Sequence, residues 1–182
     1  MSAPPREHRM REQESLRPSV TVAAIIEREG RFLLVEEETR YGPRLNQPAG
    51  HLEGGETVAA GAVRETLEET GVDVARDGRL LGHLDDLYPR TPTLPPIIIR
   101  PFVALVRADV AIVPSHEVAA AFWVPVSALA ERGAWTTGTV SVRGIERRVQ
   151  VFEHGEYTVW GLTERVLRQL LTFMGEAPAN GS

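Results

Sequence analysis

Apolar and polar positions change rhythm several times along this chain. From Ser19 to Glu27 nearly every residue is apolar or β-branched, and Arg31 to Glu37 repeats that character. Glu29 and Gly30 lie between them as a turn, so the pair predicts a β-hairpin. Tyr41-Gly42-Pro43 interrupts, and Leu45 to Pro48 reads as a short extended piece. Between Ala59 and Thr70 the rhythm becomes helical. Ala59, Ala62, Val63, Thr66 and Thr70 fall on one face, a small and mostly apolar stripe suited to lying on a sheet, and Gly71 supplies the stop. Further on, Arg79 to Leu84 reads as a strand, and Ile97 to Val106 as a long buried one in which Pro101 marks a bulge or an edge. Ala121 to Val124 is another strand, feeding a short helix over Ser127 to Arg132. Arg147 to Phe152 and Tyr157 to Trp160 flank Glu153-His154-Gly155-Glu156 as a second hairpin. Leu162 to Phe173 closes the pattern as an amphipathic helix, with Leu162, Val166, Leu167, Leu170 and Leu171 on one side.

These elements predict an α/β fold in which a mixed sheet lies between helices. Residues 1–18, where Pro4, Pro5 and Pro18 bracket charges, are expected to be a flexible N-terminal arm, and 175–182 a flexible tail. Residues 19–174 then form one domain, which suits a chain of 182 residues with 42% hydrophobic content. No internal repeat or low-complexity tract is present.

The polar side of the central helix changes the picture. Taking Glu65 as origin, Glu68 falls roughly 60° to one side and Glu69 roughly 40° to the other, so three carboxylates share one face. A run of charge is usually a solvated helix face. Here, however, Arg64 is the only base inside the cluster, and one guanidinium does not neutralise three carboxylates. A hard, oxygen-seeking ion such as Mg²⁺ or Mn²⁺ does, and it prefers carboxylates together with substrate phosphate oxygens.

Composition narrows the partners. A net charge of -5 argues against a dedicated nucleic-acid binder, while small phosphorylated substrates remain open. With no Cys, disulfides, thiolate sites and thiol nucleophiles are excluded. Every basic residue is Arg and none is Lys, which excludes Schiff-base and P-loop lysine chemistry. No apolar run approaches the about eighteen residues of a membrane span, and the start has no apolar signal core, so no membrane partner and a cytoplasmic location are expected.

The spacing of these residues resembles the Nudix box: Gly, five residues, Glu, seven residues, Arg-Glu, an apolar residue, any residue, Glu-Glu, any residue, Gly, apolar. Gly50, Glu56, Arg64, Glu65, Glu68, Glu69, Gly71 and Val72 fit it, and Thr66 departs where an aliphatic residue is usual. Seven fixed residue types coincide by chance about once in 10⁸ starts. The resemblance implies the α/β/α Nudix sandwich and cleavage of a diphosphate linkage by water attack on phosphorus, with Mg²⁺ or Mn²⁺ as cofactor. By the family pattern Glu65, Glu68 and Glu69 are metal ligands, Glu65 doubles as a candidate base, and the Gly50 carbonyl joins the coordination. Arg64 would orient the carboxylates. Glu56 is either a partner of Arg64 or of metal-bound water, or a plain N-terminal helix charge.

Outside the box, Glu117 is the next candidate, by analogy with relatives that carry a catalytic carboxylate in a similar loop; a solvated loop Glu is the alternative. Asp85 and Asp86 are weaker, and His51 lies inside the box loop. Trp123 and Trp160 are more often core than stacking platforms. Arg44, Arg90, Arg100 and Arg143 are candidates for phosphate contact. From Val20 to Val72 the chain resembles Nudix phosphatases of nucleoside or thiamin-precursor phosphates. Leu81 to Asp86 and Val159 to Thr163 are similar to coenzyme A pyrophosphatases, although Gln47-Pro48-Ala49-Gly50 stands where those carry Phe-Pro-Gly-Gly. The Gly133 to Trp160 stretch is a candidate lid or wall of the substrate pocket. A homodimer would suit the family, and a reading of another class is a nucleotide-binding regulatory module without turnover.

Overall fold

The computed structural model describes residues 19–39, 42–89, 96–142, 144–155 and 157–176. The expected arm 1–18, Arg90, Arg143 and most of the expected tail lie outside them. Within the described residues ten strands and four helices are formed. Strands β1 (Ser19–Arg28) and β2 (Arg31–Thr39) make the expected hairpin, but they pair only beside the turn, through Glu27↔Phe32 and Arg28↔Arg31. Beyond that point they diverge. Strand β3 (Gly42–Asn46) takes β2 as partner, and β4 (Ala49–His51) takes β1, so the link Gln47-Pro48 sits where the hairpin splays. The interruption expected at Gly42-Pro43 is thus the start of a strand, because β2 offers it a free edge.

Helix α1 (Val58–Thr70) follows, then a single turn, α2 (Val74–Asp77), which the sequence did not announce. Strands β5 (Gly78–His83) and β6 (Ile97–Val106) pair antiparallel, and β6 runs parallel to β1 from Ser19↔Ile97 to Glu27↔Leu105. Pro101 therefore stands in an interior strand and not at an edge. The neighbouring strand carries a register shift between Leu80 and Gly82, opposite Ala104 and Val103, and the Leu84 N–H reaches the Pro101 carbonyl at 2.8 Å. Strand β7 (Ala120–Pro125) pairs with β2 and completes a mixed seven-stranded sheet. The short helix α3 (Val126–Ala130) begins one residue earlier and ends two earlier than expected.

The Gly133 to Trp160 stretch folds as three antiparallel strands, β8 (Trp135–Val142), β9 (Ile145–His154) and β10 (Tyr157–Trp160), and α4 (Leu162–Phe173) ends the domain where its periodicity placed it. Two cores follow from the period-two alternation of the strands. Val22, Ala24, Ile26 and Leu33 pack with Ala62 and Val72 under α1. Ala23, Ile25, Phe32 and Leu34 pack on the other face with Leu129 of α3, Phe152 of β9 and Val166, Leu167 and Leu170 of α4. The result is the expected layered α/β/α arrangement. Among the described residues no helix is long and apolar enough to cross a membrane.

Candidate functional site

Helix α1 is held at both ends by its own sequence. Thr57 accepts a bond from the Ala60 N–H at its start, and Gly71, at φ 70°, closes its end by donating to the Leu67 carbonyl. Thr66, the residue that departs from the box pattern, is fully buried on the sheet-facing side. Its hydroxyl donates to the Ala62 carbonyl at 2.8 Å, so a polar atom enters the core already satisfied and the methyl is left to pack. This face fixes the helix on the sheet and thereby fixes where the carboxylates stand.

Arg64 organises the outer part of the cluster. Its guanidinium donates to Glu56 at 2.8 and 3.2 Å, to Glu65 Oε1 at 3.0 Å, to Glu68 Oε2 at 2.8 Å and to the His51 carbonyl at 3.0 Å. Glu56 also accepts the Glu53 N–H at 2.7 Å, so one carboxylate ties the glycine-rich turn to the helix. The Arg64 hydrogen bond holds the Glu56 carboxyl below its usual range. Of the two readings of Glu56, partner of Arg64 is the one the geometry has.

Glu65 lies against β4. A side chain at Gly50 would stand 2.0 Å from the Glu65 carboxyl group, so only glycine leaves that carboxylate its room. Burial raises the Glu65 pKa, against the opposing pull of Arg64. Glu68 is mostly exposed and turned to Arg64.

Glu69 differs from both. It is only 5% exposed, its Oε1 meets the Ala49 N–H at a long 3.4 Å, and its Oε2 is buried with no hydrogen-bond partner. Burial, then the charge of Glu37, push its pKa up to about 8, with Glu65 and Glu117 adding to the effect. Arg64 makes no bond to it.

Two elements bring those further carboxylates in. The loop after β6 is pinned to the end of α1, where the Val113 and Ser115 N–H groups bond the Thr70 and Glu69 carbonyls, and its far end is pinned to β2, where the Ala119 N–H bonds the Glu36 carbonyl. Glu117 lies between these anchors, close enough for its charge to act on Glu65 and Glu69. Glu37 comes from β2 and escaped the sequence reading. Its signal was the alternation Leu33, Val35, Glu37, which puts it on the same face of the strand as Leu33, the face packed under α1.

Among the described residues no three acidic or His side chains stand close enough to form a closed metal shell. Arg64 draws Glu65 and Glu68 outward while Glu69 stays inside. The donor set nonetheless fits a hard divalent ion: carboxylate oxygens of Glu65 and Glu69 and the Gly50 backbone, with one buried oxygen lacking any partner.

Other candidates are placed elsewhere. Arg100 is committed to Asp86 by two bonds of 2.8 Å, which keep that carboxyl below its usual range, and Asp85 is exposed. His51 is exposed and contributes its carbonyl. Trp123 lies under the Arg28 guanidinium at 4.0 Å, and Trp160 under that of Arg44 at 4.2 Å.

The model of the NUDIX domain family matches residues 15–141. Phosphatase NudJ of Escherichia coli K12 is 52% identical over 56 residues, which are 31% of this chain and 37% of that protein. The match thus spans little more than a third of the relative's length. A NUDIX hydrolase structure from Nitrosomonas europaea superposes with a TM-score of 0.51 at 27% identity, over 59% of this chain and 57% of the other. A MutT/nudix family protein from Enterococcus faecalis has the same fold, with a TM-score of 0.61 at 15% identity over 94% and 70% of the two chains.

Proposed function

The chain belongs to the NUDIX domain family, and from that premise we propose that it is a divalent-metal-dependent pyrophosphohydrolase that cleaves the diphosphate linkage of a small phosphorylated substrate. The observation that carries the reading is Glu69: a buried carboxylate with an unpartnered oxygen, surrounded by other carboxylates and passed over by the Arg64 guanidinium. A buried, unpartnered carboxylate among other carboxylates opposes folding of the metal-free protein, and a bound divalent cation would offset that cost.

When bound, Mg²⁺ or Mn²⁺ supplies positive charge that gathers phosphate oxygens and makes water more acidic. Glu65, Glu69 and the Gly50 carbonyl would hold it, with Glu68 joining from the exposed side. Arg64 fixes Glu65 and Glu68 and ties the turn to the helix, so the ligands are pre-positioned. In the reaction a water oxygen bonds to phosphorus, the bridging P–O bond breaks, and the proton passes to a carboxylate. We assign that proton to Glu65, whose pKa is raised by burial, or to Glu117, in the pinned loop.

The finer parts of the reading are tested together. Release of phosphate or pyrophosphate is measured with Mg²⁺ and with Mn²⁺ over nucleoside triphosphates, nucleotide sugars, dinucleotides, coenzyme A and thiamin-precursor diphosphates. Glu69→Gln, which removes charge and hardly any volume, is expected to lower turnover by about 10³-fold or more while the protein stays folded. Wild-type turnover in that variant would remove the assignment. Silence over the whole panel in a protein that binds nucleotide would favour a regulatory module. Coenzyme A stays in the panel for the likeness at Leu81–Asp86 and Val159–Thr163, although the former lines a cleft against the end of α4. Light scattering tests the homodimer expected for the family.

A further inference from the structure

Strand β5 leaves one side of the main sheet open. Among the described residues it pairs with β6 alone, and its other edge meets no strand. On the face of β5 and β6 that carries α4 lies a cleft of about 680 Å³, floored by the buried side chains of Phe32, Leu84 and Leu170. Of the seven large apolar side chains that stand exposed among the described residues, three, Leu81, Phe173 and Met174, line this one cleft. Phe173 is 83% exposed at the last position of α4, so a large ring stands in solvent beside an apolar recess. Single apolar residues on a surface need no explanation, whereas a contiguous patch marks an interaction face.

A knob and a hole side by side suit a second copy of the same surface. An isologous dimer needs a patch that complements itself, because every contact across a two-fold axis is made twice. A turned copy brings its Phe173 to the cleft of the first and receives the first's Phe173 in return. The charges along β5 have the same character. Leu80 packs under α1, so its neighbours Arg79 and Leu81 turn to the α4 side, where Asp85 also lines the cleft. Arg79 and Asp85 are exposed, and neither has an ion pair among the described residues. Gly82 stands midway between them, and nothing lies within 4 Å of where its side chain would begin, so a second strand can come close there. A two-fold axis at Gly82 sets the two segments antiparallel, with Arg79 of each opposite Asp85 of the other, while a parallel approach would oppose like charges. The cleft wall carries the carboxylates of Glu27 and Asp85 and no guanidinium, so it attracts an arginine from outside.

We propose that this face joins two copies of the chain in a two-fold dimer, with Phe173 of each seated in the cleft of the other and Arg79 of each paired with Asp85 of the other. The carboxylates of α1 lie on the opposite face of the sheet, so both sites stay open and neither copy completes the other's. The dimer is therefore independent of the pyrophosphohydrolase reading, and either can fail without the other.

Sedimentation velocity of the full chain between about 1 and 100 µM measures the association. Wild type should sediment as a dimer at the upper end. Phe173→Asp should raise the dissociation constant about a hundredfold or more, and Arg79→Asp or Asp85→Arg alone about tenfold each. Both charge reversals in one chain exchange the pair and should recover most of that loss. All three positions are exposed, so the circular dichroism spectrum and the phosphate or pyrophosphate release per subunit should match wild type. A wild type that stays monomeric at about 100 µM overturns the proposal, and so does a dimer that Phe173→Asp leaves intact. Dissociation by Phe173→Asp without recovery in the exchanged pair overturns the antiparallel arrangement of β5.

Discussion

Glu69→Gln should stabilise the metal-free protein, and by an amount that grows with pH. The Glu69 carboxyl has an ordinary pKa of 4.5 and about 8 in the fold. A carboxyl whose pKa is raised on folding takes up a proton as the chain folds. Its contribution is fully present below pH 4.5, declines as pH rises, and is lost once pH passes 8. At about 1.4 kcal/mol per pH unit, wild-type protein is about 3.4 kcal/mol worse off at pH 7 than a group that needs no protonation, and about 0.7 kcal/mol worse off at pH 5. Solvent and side-chain relaxation will take up part of this, so about 2 kcal/mol is the working figure for the difference between the two pH values. Gln has nearly the same volume and no charge to bury. In a chain of 182 residues that difference corresponds to about 4–8 °C in Tm. The assay is thermal unfolding by circular dichroism of wild type and Glu69→Gln in EDTA at pH 5 and pH 7, in which titrating groups away from the carboxylate cluster cancel between the two proteins. The Tm advantage of Gln should widen by several degrees at pH 7. An advantage constant to within about 1 °C would show that Glu69 is hydrated or partnered in solution and would refute the reasoning. Mg²⁺ or Mn²⁺ at pH 7 should then raise the Tm of wild type and leave the variant nearly unmoved, because an ion that binds only the folded state stabilises by mass action.

Three further outcomes follow from the geometry. Gly50→Ala places a methyl 2.0 Å from the Glu65 carboxyl group and must displace it, so turnover should fall about 10²-fold with the circular dichroism spectrum retained; steady-state kinetics measure this. Arg64→Lys keeps the charge but not the fork that reaches Glu56, Glu65, Glu68 and the His51 carbonyl, and should cost about 2 kcal/mol in urea unfolding and at least about tenfold in kcat. Asp86→Asn removes the charge that Arg100 holds and should cost about 1 kcal/mol at pH 7 with kcat unchanged. Because Asp86 is held below its ordinary pKa, that difference is present at neutral pH and should shrink as pH falls through the lowered value; urea titrations at several acidic pH values check it.

What the sequence made legible was what lies within one element. Helix α1, its glycine cap and the angular placement of Glu65, Glu68 and Glu69 depend on a spacing of 3.6 residues and nothing else. The periodicity of α4 gave its ends to the residue. What depends on a partner strand was less visible. Strand β8 alternates exposed Thr and Ser residues with Gly138 and Val140, a pattern that settles as a strand only because Trp135↔Phe152 to Val142↔Ile145 pair it with β9. Pro101 points to an edge by its missing N–H, yet β6 is interior, paired with β1 on one side and β5 on the other. Glu37 was hidden for the same reason. In sequence it is one of three consecutive Glu residues at the end of a strand buried on both faces, and only the packing of α1 on the Leu33 face shows which of them lies on the side of Glu69.

The same distinction decides between a solvated acidic helix and a built site. Glu68 behaves as a solvated face requires: its side chain is 55% exposed and it shares Arg64 at one turn's spacing. Had all three carboxylates done so, nothing would call for an ion. Glu69 is one residue further round the helix, and that step turns it from solvent toward Ala49 of β4, under a loop whose Ser115 N–H is bonded to the Glu69 carbonyl. The Glu69 backbone is itself bonded to that loop, so the side chain is held beneath it, where a proton or a cation relieves its charge. Burying an unpaired carboxylate beside Glu37, Glu65 and Glu117 opposes folding, and polar replacements of equal size are readily available to a sequence. The proposed cation site accounts for an acid kept there, out of reach of Arg64.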